Sequence, residues 1–142
     1  MRFFAIAFLA LLLPVAAAAP PRVLILGDSI YMNPSQEAAK FLKDKAVVVR
    51  PIKSGEAFNT TSALASLDEL LGDGKWDLIH FNYGLADLVH RAPNMKAFRS
   101  MPVQAGGIRA TPPAEYQKTL TEIVKRLKAT GAKLVWASTT PI

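Results

Sequence analysis

The 142-residue chain contains no cysteine, which excludes disulfides, thiolate nucleophiles and thiolate metal ligands together. Histidine is nearly as scarce. His80 and His90 are the only two, and with no ligand-spaced cluster around them neither a metal nor another cofactor is expected. Basic residues outnumber acidic ones, 17 to 11, but they are scattered. Only Lys125-Arg126 and nearby Lys128 cluster, and these suit the last turn of a helix, where cations oppose the dipole. The basic stripe of a nucleic-acid-binding surface is missing, so no nucleic-acid partner is expected. A glycine-rich phosphate fingerprint is also missing from the first strand-to-helix turn, which weakens a nucleotide-binding reading.

Long apolar runs are confined to the amino terminus. Arg2 is a minimal positive region, Phe3 to Leu13 is apolar, and Pro14-Val-Ala-Ala-Ala-Ala19 offers small-residue cleavage sites. Residues 1–19 therefore read as a secretory signal peptide cleaved near Ala18 or Ala19. The apolar part falls short of the roughly 20 residues of a membrane-spanning helix. The expectation is a secreted or periplasmic domain over 20–142, with no stable membrane insertion after cleavage.

The whole chain, 51% hydrophobic and 20% charged, is globular in composition, and its length suits one domain. Val23 to Leu26 is a short apolar run that stops at Gly27, where Asp28 and Ser29 form a turn. Such letters also occur in ordinary strand-to-loop turns. A short helix is predicted over 33–43, with Asn33 as N-cap and Pro34 at the first helical position. Ala46 to Arg50 is a second apolar run, ended by Pro51 and followed by a loop holding Ser54-Gly55-Glu56.

Thr60, Thr61 or Ser62 can cap a helix that aligns Leu64, Leu67, Leu70 and Leu71, with Gly72 or Gly74 ending it. A third strand is predicted over Trp76–Asn82, giving way to Tyr83-Gly84-Leu-Ala-Asp87. His90 to Ala110, with little periodicity, reads as a long loop or excursion. Thr111-Pro-Pro-Ala-Glu115 starts a helix whose stripe of Tyr116, Leu120, Ile123, Val124 and Leu127 runs to Gly131. Lys133 to Ser138 is a fourth apolar run.

Alternating strands and helices predict a parallel sheet with helices on both faces. Right-handed crossovers put the loops after all the strands on one edge, where ligands of such sheets bind. Ser29, Gly55, the Asn82–Asp87 turn and Thr139-Thr140 share that edge.

In these residues the chain resembles the SGNH hydrolases, the GDSL esterase and lipase superfamily. Gly27-Asp28-Ser29-Ile30 is similar to its first block, Gly55 to the glycine of its second, and Gly84-Leu85-Ala86-Asp87 to its Gly-x-Asn-Asp third block at the glycine and the aspartate. The resemblance covers essentially all of 20–142. It implies a flavodoxin-like three-layer αβα sandwich in which Ser29 forms an acyl-enzyme, Gly55 presents an oxyanion N–H, and Gly84, Asp28 and Asp87 shape the site. A helix N-terminus favours the developing negative charge, and losing one oxyanion donor typically costs about 10²–10³ in rate.

Two positions depart from the pattern. Ala86 stands where the family has its oxyanion asparagine. Asn82 is the nearest substitute, although an asparagine closing a strand end through a local backbone bond reads equally well. The second departure is the base. The family draws it from an Asp-x-x-His after a fifth strand, and none follows Ser138, so the chain is expected to be a carboxyl-truncated fragment with four strands present and little turnover of its own. Asp77-Leu-Ile-His80 has the spacing, but residues three apart in a strand point to opposite faces, which makes His80 a core or interlayer histidine. Asp87-Leu-Val-His90 would reach the site only if its loop folded back; a surface histidine opening that loop is the simpler reading.

Two functions follow. One is an exported esterase acting on acyl or acetyl groups, with a small-molecule or carbohydrate ester as its partner. The other is a non-catalytic binding domain that keeps the crevice without the base and the asparagine.

Overall fold

The computed structural model describes residues 18–51, 59–93 and 100–139. The expected signal peptide up to residue 17, the expected oxyanion glycine Gly55 and Thr140 lie outside the described residues. Among those described, no helix is long and apolar enough to cross a membrane.

The strands are β1 (Arg22–Gly27), β2 (Val47–Val49), β3 (Leu78–Asn82), β4 (His90–Arg91), β5 (Ile108–Arg109) and β6 (Lys133–Trp136); the α-helices are α1 (Met32–Phe41), α2 (Thr60–Ala65), α3 (Leu67–Leu71), α4 (Leu85–Leu88) and α5 (Pro113–Ala129). Four strands form one parallel sheet in the order β2-β1-β3-β6. The chain thus steps outward from β1 to β2, returns past it to β3 and continues to β6, a flavodoxin-like order whose direction reverses between β1 and β3. Right-handed crossovers of opposite direction put α1 on one face and α2, α3 and α5 on the other, giving three layers.

The two faces are filled unequally. Leu24, Leu26, Ile79 and Phe81 point toward α2, α3 and α5 and join Ala63, Leu67, Leu70, Ile123 and Leu127 in one buried cluster. On the α1 face Ile25 is buried, while Val23, His80 and Val135 are only half-buried. Helix α1 buries only Ser35, so its side chains contribute little to a core.

Local chemistry moves several boundaries from their predicted places. Helix α1 begins at Met32 because a 3-10 turn over Ser29–Tyr31 runs straight into it; Asn33 and Pro34 lie in its first turn and no separate Asn33 cap forms. The cap before α2 is Asn59, whose side chain accepts from Ser62 N–H at 2.9 Å while Ser62 Oγ accepts from Asn59 N–H at 3.3 Å. The predicted helix divides at Ser66 into α2 and α3, and Gly72, at φ +56, ends it. The stretch from His90 to Ala110, expected as a loop, carries the antiparallel pair β4 and β5 and a 3-10 turn over Val103–Ala105. Two residues per strand are too short to leave a period in the sequence.

Candidate active site

Parallel strands send all their carboxyl ends to one edge, and register decides which residues meet there. Gly27 of β1 is paired with Asn82 of β3, so the Ser29 turn and the Asn82–Asp87 turn leave the sheet side by side at the reversal point. Gly27 permits that approach: a Cβ there would lie 2.9 Å from the Asn82 carbonyl oxygen and 3.0 Å from the Tyr31 ring.

Ser29 is exposed at the first position of the 3-10 turn. Asp28 organises that turn. Its Oδ1 accepts from Ile30 N–H at 3.0 Å, and its carbonyl accepts from Tyr31 N–H at 3.2 Å and from Arg50 Nη2 at 3.2 Å. The Asp28 side chain is only 2% exposed, and its Oδ2 has no hydrogen-bond partner among the described residues. Burial pushes its pKa above the ordinary aspartate value; the Ile30 N–H and the Arg50 guanidinium pull it back, and the Asp87 charge adds to the rise.

On the β3 side, Asn82 is buried and its Nδ2 donates to the Ala137 carbonyl at 2.7 Å, tying the ends of β3 and β6 together. Gly84 packs against Thr139, since a Cβ would come within 2.9 Å of the Thr139 Cβ and closer still to its hydroxyl. Ala86 is buried and brings no polar group. Asp87 is fully buried and accepts from Thr60 N–H at 2.9 Å and from Thr60 Oγ1 at 2.7 Å, while Thr119 Oγ1 donates to Thr60 Oγ1 at 2.7 Å. Asp87 therefore ties the third turn to the start of α2 and, through Thr60, to α5.

A half-open hollow of about 240 Å³ lies at this edge, lined by Ile30, Tyr31, Pro34, Asn82, Ser138 and Thr139. It is smaller than the roughly 300–1,000 Å³ of drug-sized sites and suits a small group. The Tyr31 hydroxyl is 2.9 Å from His80 Nε2, and burial lowers the pKa of that imidazole. Asp77 is elsewhere, its Oδ2 accepting from Arg22 N–H at the opposite end of the sheet. His90 is opposite Arg109 in the small sheet. Among the described residues no hydrogen bond joins Ser29 to either histidine, and no group of three or more acidic, histidine or cysteine side chains could hold a metal ion.

The structure thus brings Asp28, Ser29, Asn82, Gly84 and Asp87 to one edge. Sequence reasoning passed over Arg50 and Tyr31. Arg50 had a signal, as a cation closing the second apolar run on the edge where the turns were expected. Tyr31 had none beyond its nearness to Ser29.

No protein-family model matches the chain, and no curated protein matches it in sequence. Among solved structures, the crystal structure of TesA matches with a TM-score of 0.54 and 24% identity, over 81% of this chain and 58% of the TesA chain. That likeness is one of fold, an α/β sandwich on a parallel sheet, and the chain spans 58% of the length of the protein it matches.

Proposed function

We propose that the protein is an exported serine ester hydrolase in which Ser29 attacks the carbonyl of a small acyl or acetyl ester, carbohydrate esters included. The observation that carries this reading is an exposed serine at the switch point of the sheet, in a turn whose Ile30 and Tyr31 line a small hollow. In this mechanism Ser29 Oγ bonds to the acyl carbon and its proton passes to a general base. The tetrahedral oxyanion receives hydrogen bonds, the alcohol leaves, and water hydrolyses the acyl-enzyme.

Donors for the oxyanion are the Ser29 N–H and, from the family resemblance, the Gly55 N–H. An amide carries two N–H groups, and Asn82 has one engaged by Ala137, so the second is its contribution. Neither histidine is bonded to Ser29, so the general base is left unassigned among the described residues. A specific observation favours the binding-domain reading as the second choice: Ala86 has no amide and Asn82 is tied to Ala137.

Hydrolysis of an aryl acetate by the protein as its gene encodes it, recovered after export with its N-terminus read by mass spectrometry, separates the two. The expected result is a terminus near Pro20 and a fall of at least about 10³-fold in kcat/KM for Ser29→Ala. Equal rates for the two proteins would leave only the binding reading. The 142-residue chain is expected to show little turnover, and fast serine-dependent hydrolysis by it would show that one of its own side chains acts as the base.

A further inference from the structure

Two buried carboxyl groups, Asp28 and Asp87, lie beneath the Ser29 turn, and the Asp87 charge adds to the cost of ionising Asp28, but they are satisfied very differently. Asp87 accepts a backbone N–H and a hydroxyl from Thr60. Asp28 accepts a single N–H, from Ile30, and its second oxygen is buried with no partner among the described residues. A carboxylate so placed needs another source of stabilisation to stay charged. Arg50 supplies a cation from the end of β2, with Nη2 3.2 Å from the Asp28 carbonyl oxygen. Two phenols feel the same cluster: Tyr83 is raised by burial and by Asp28 and lowered by Arg50, and Tyr31 is raised by burial and by Asp28. The groups acting on Asp28 are therefore the Ile30 N–H in its own turn, Arg50 after β2 and Asp87 on α4, and Asp28 in turn acts on the phenols of Tyr31 and Tyr83.

We propose that Arg50 is the positioning residue of the Ser29 turn: one guanidinium clamps the Asp28 carbonyl and balances the buried Asp28 carboxyl, so that the carboxylate stays charged and keeps capping Ile30. Ser29 sits between the two anchored residues, Asp28 and Ile30. Protonation of Asp28 weakens the Ile30 cap, because a neutral carboxyl is a poorer acceptor than a carboxylate, and the serine turn loosens. Without the guanidinium that loosening comes at a higher pH. The catalytic consequence rests on the hydrolase reading above; the coupling of Arg50 to Asp28 does not.

The test is a carboxyl ¹³C NMR titration of Asp28 in the wild type, Arg50→Gln and Arg50→Lys, alongside the pH dependence of Ser29 labelling by an aryl phosphonate in the gene-encoded protein. In Arg50→Gln the Asp28 midpoint is expected to rise by about one pH unit or more, the low end of what a neighbouring opposite charge supplies. The acid limb of Ser29 labelling should rise with it. Arg50→Lys keeps the charge and is expected to restore most of the midpoint. In Asp28→Asn the acid limb no longer responds to Arg50. An unchanged Asp28 midpoint in folded Arg50→Gln overturns the proposal. Should that variant not fold, the wild type decides, because the Arg50 guanidinium ¹⁵N signals must then shift with the Asp28 midpoint, and their indifference overturns it equally. A protein that no phosphonate labels at any pH fails the hydrolase reading, while the Asp28–Arg50 titration stands or falls independently.

Discussion

A histidine inside a parallel strand loses hydration on both sides of its ring, and His80 shows the consequence. It is half-buried between the neighbouring strands with the Tyr31 hydroxyl on Nε2, and desolvation favours its neutral form. With the folded pKa below the unfolded value of about 6.5, the unfolded chain binds the extra proton between the two, so His80 makes stability fall as pH drops below about 6.5. Asp28 works in the other direction. Its folded pKa is raised, so its contribution is fully present below the ordinary aspartate value and is lost as pH rises through the folded one. Urea midpoints recorded from about pH 7.5 down to about pH 5 should therefore decline in the wild type and decline less in His80→Gln. An identical slope in both proteins would show that His80 does not carry the dependence.

Among the elements, the start of α2 holds the most concentrated polar chemistry. Asn59 and Ser62 close a reciprocal cap, and Asp87 reaches across from α4 to take Thr60 N–H and Thr60 Oγ1. Asp87→Ala leaves both buried donors without an acceptor, so a loss of about 2–3 kcal/mol in unfolding free energy is expected. Asp87→Asn keeps one acceptor oxygen and should lose less; urea unfolding of the two variants checks the order. The existence of this helix was legible from Leu64, Leu67, Leu70 and Leu71, yet its cap was sought among Thr60, Thr61 and Ser62 rather than at Asn59. The Asp87 contact is long-range and leaves no spacing to read. Helix α1 shows the converse. Pro34 and Asn33 look like a helix start, but Asp28 caps the earlier 3-10 turn and the helix follows without a break. Strong local signals lost there to a cap five residues upstream of Asn33.

For the whole molecule, the alternation of apolar runs and helical stripes was enough to foresee a parallel sheet with its turns on one edge. It could not show how unequally the faces are filled. That follows from the crossovers, which put three helices on one face and α1 on the other, and α1 has few apolar side chains to offer. Stability should therefore be lopsided. Ile79 is fully buried beside Leu24 and Leu134, whereas Val135 on the opposite face is half-buried beside His80. Ile79→Ala is expected to cost about 2–5 kcal/mol, the usual range for a large-to-small change in a packed core. Val135→Ala should cost no more than about 1 kcal/mol, because it removes fewer atoms and its side chain keeps part of its contact with water. Denaturant unfolding of both variants measures the difference. Equal costs would mean that the α1 face is as dry in solution as the other, and hence that something besides α1 covers it.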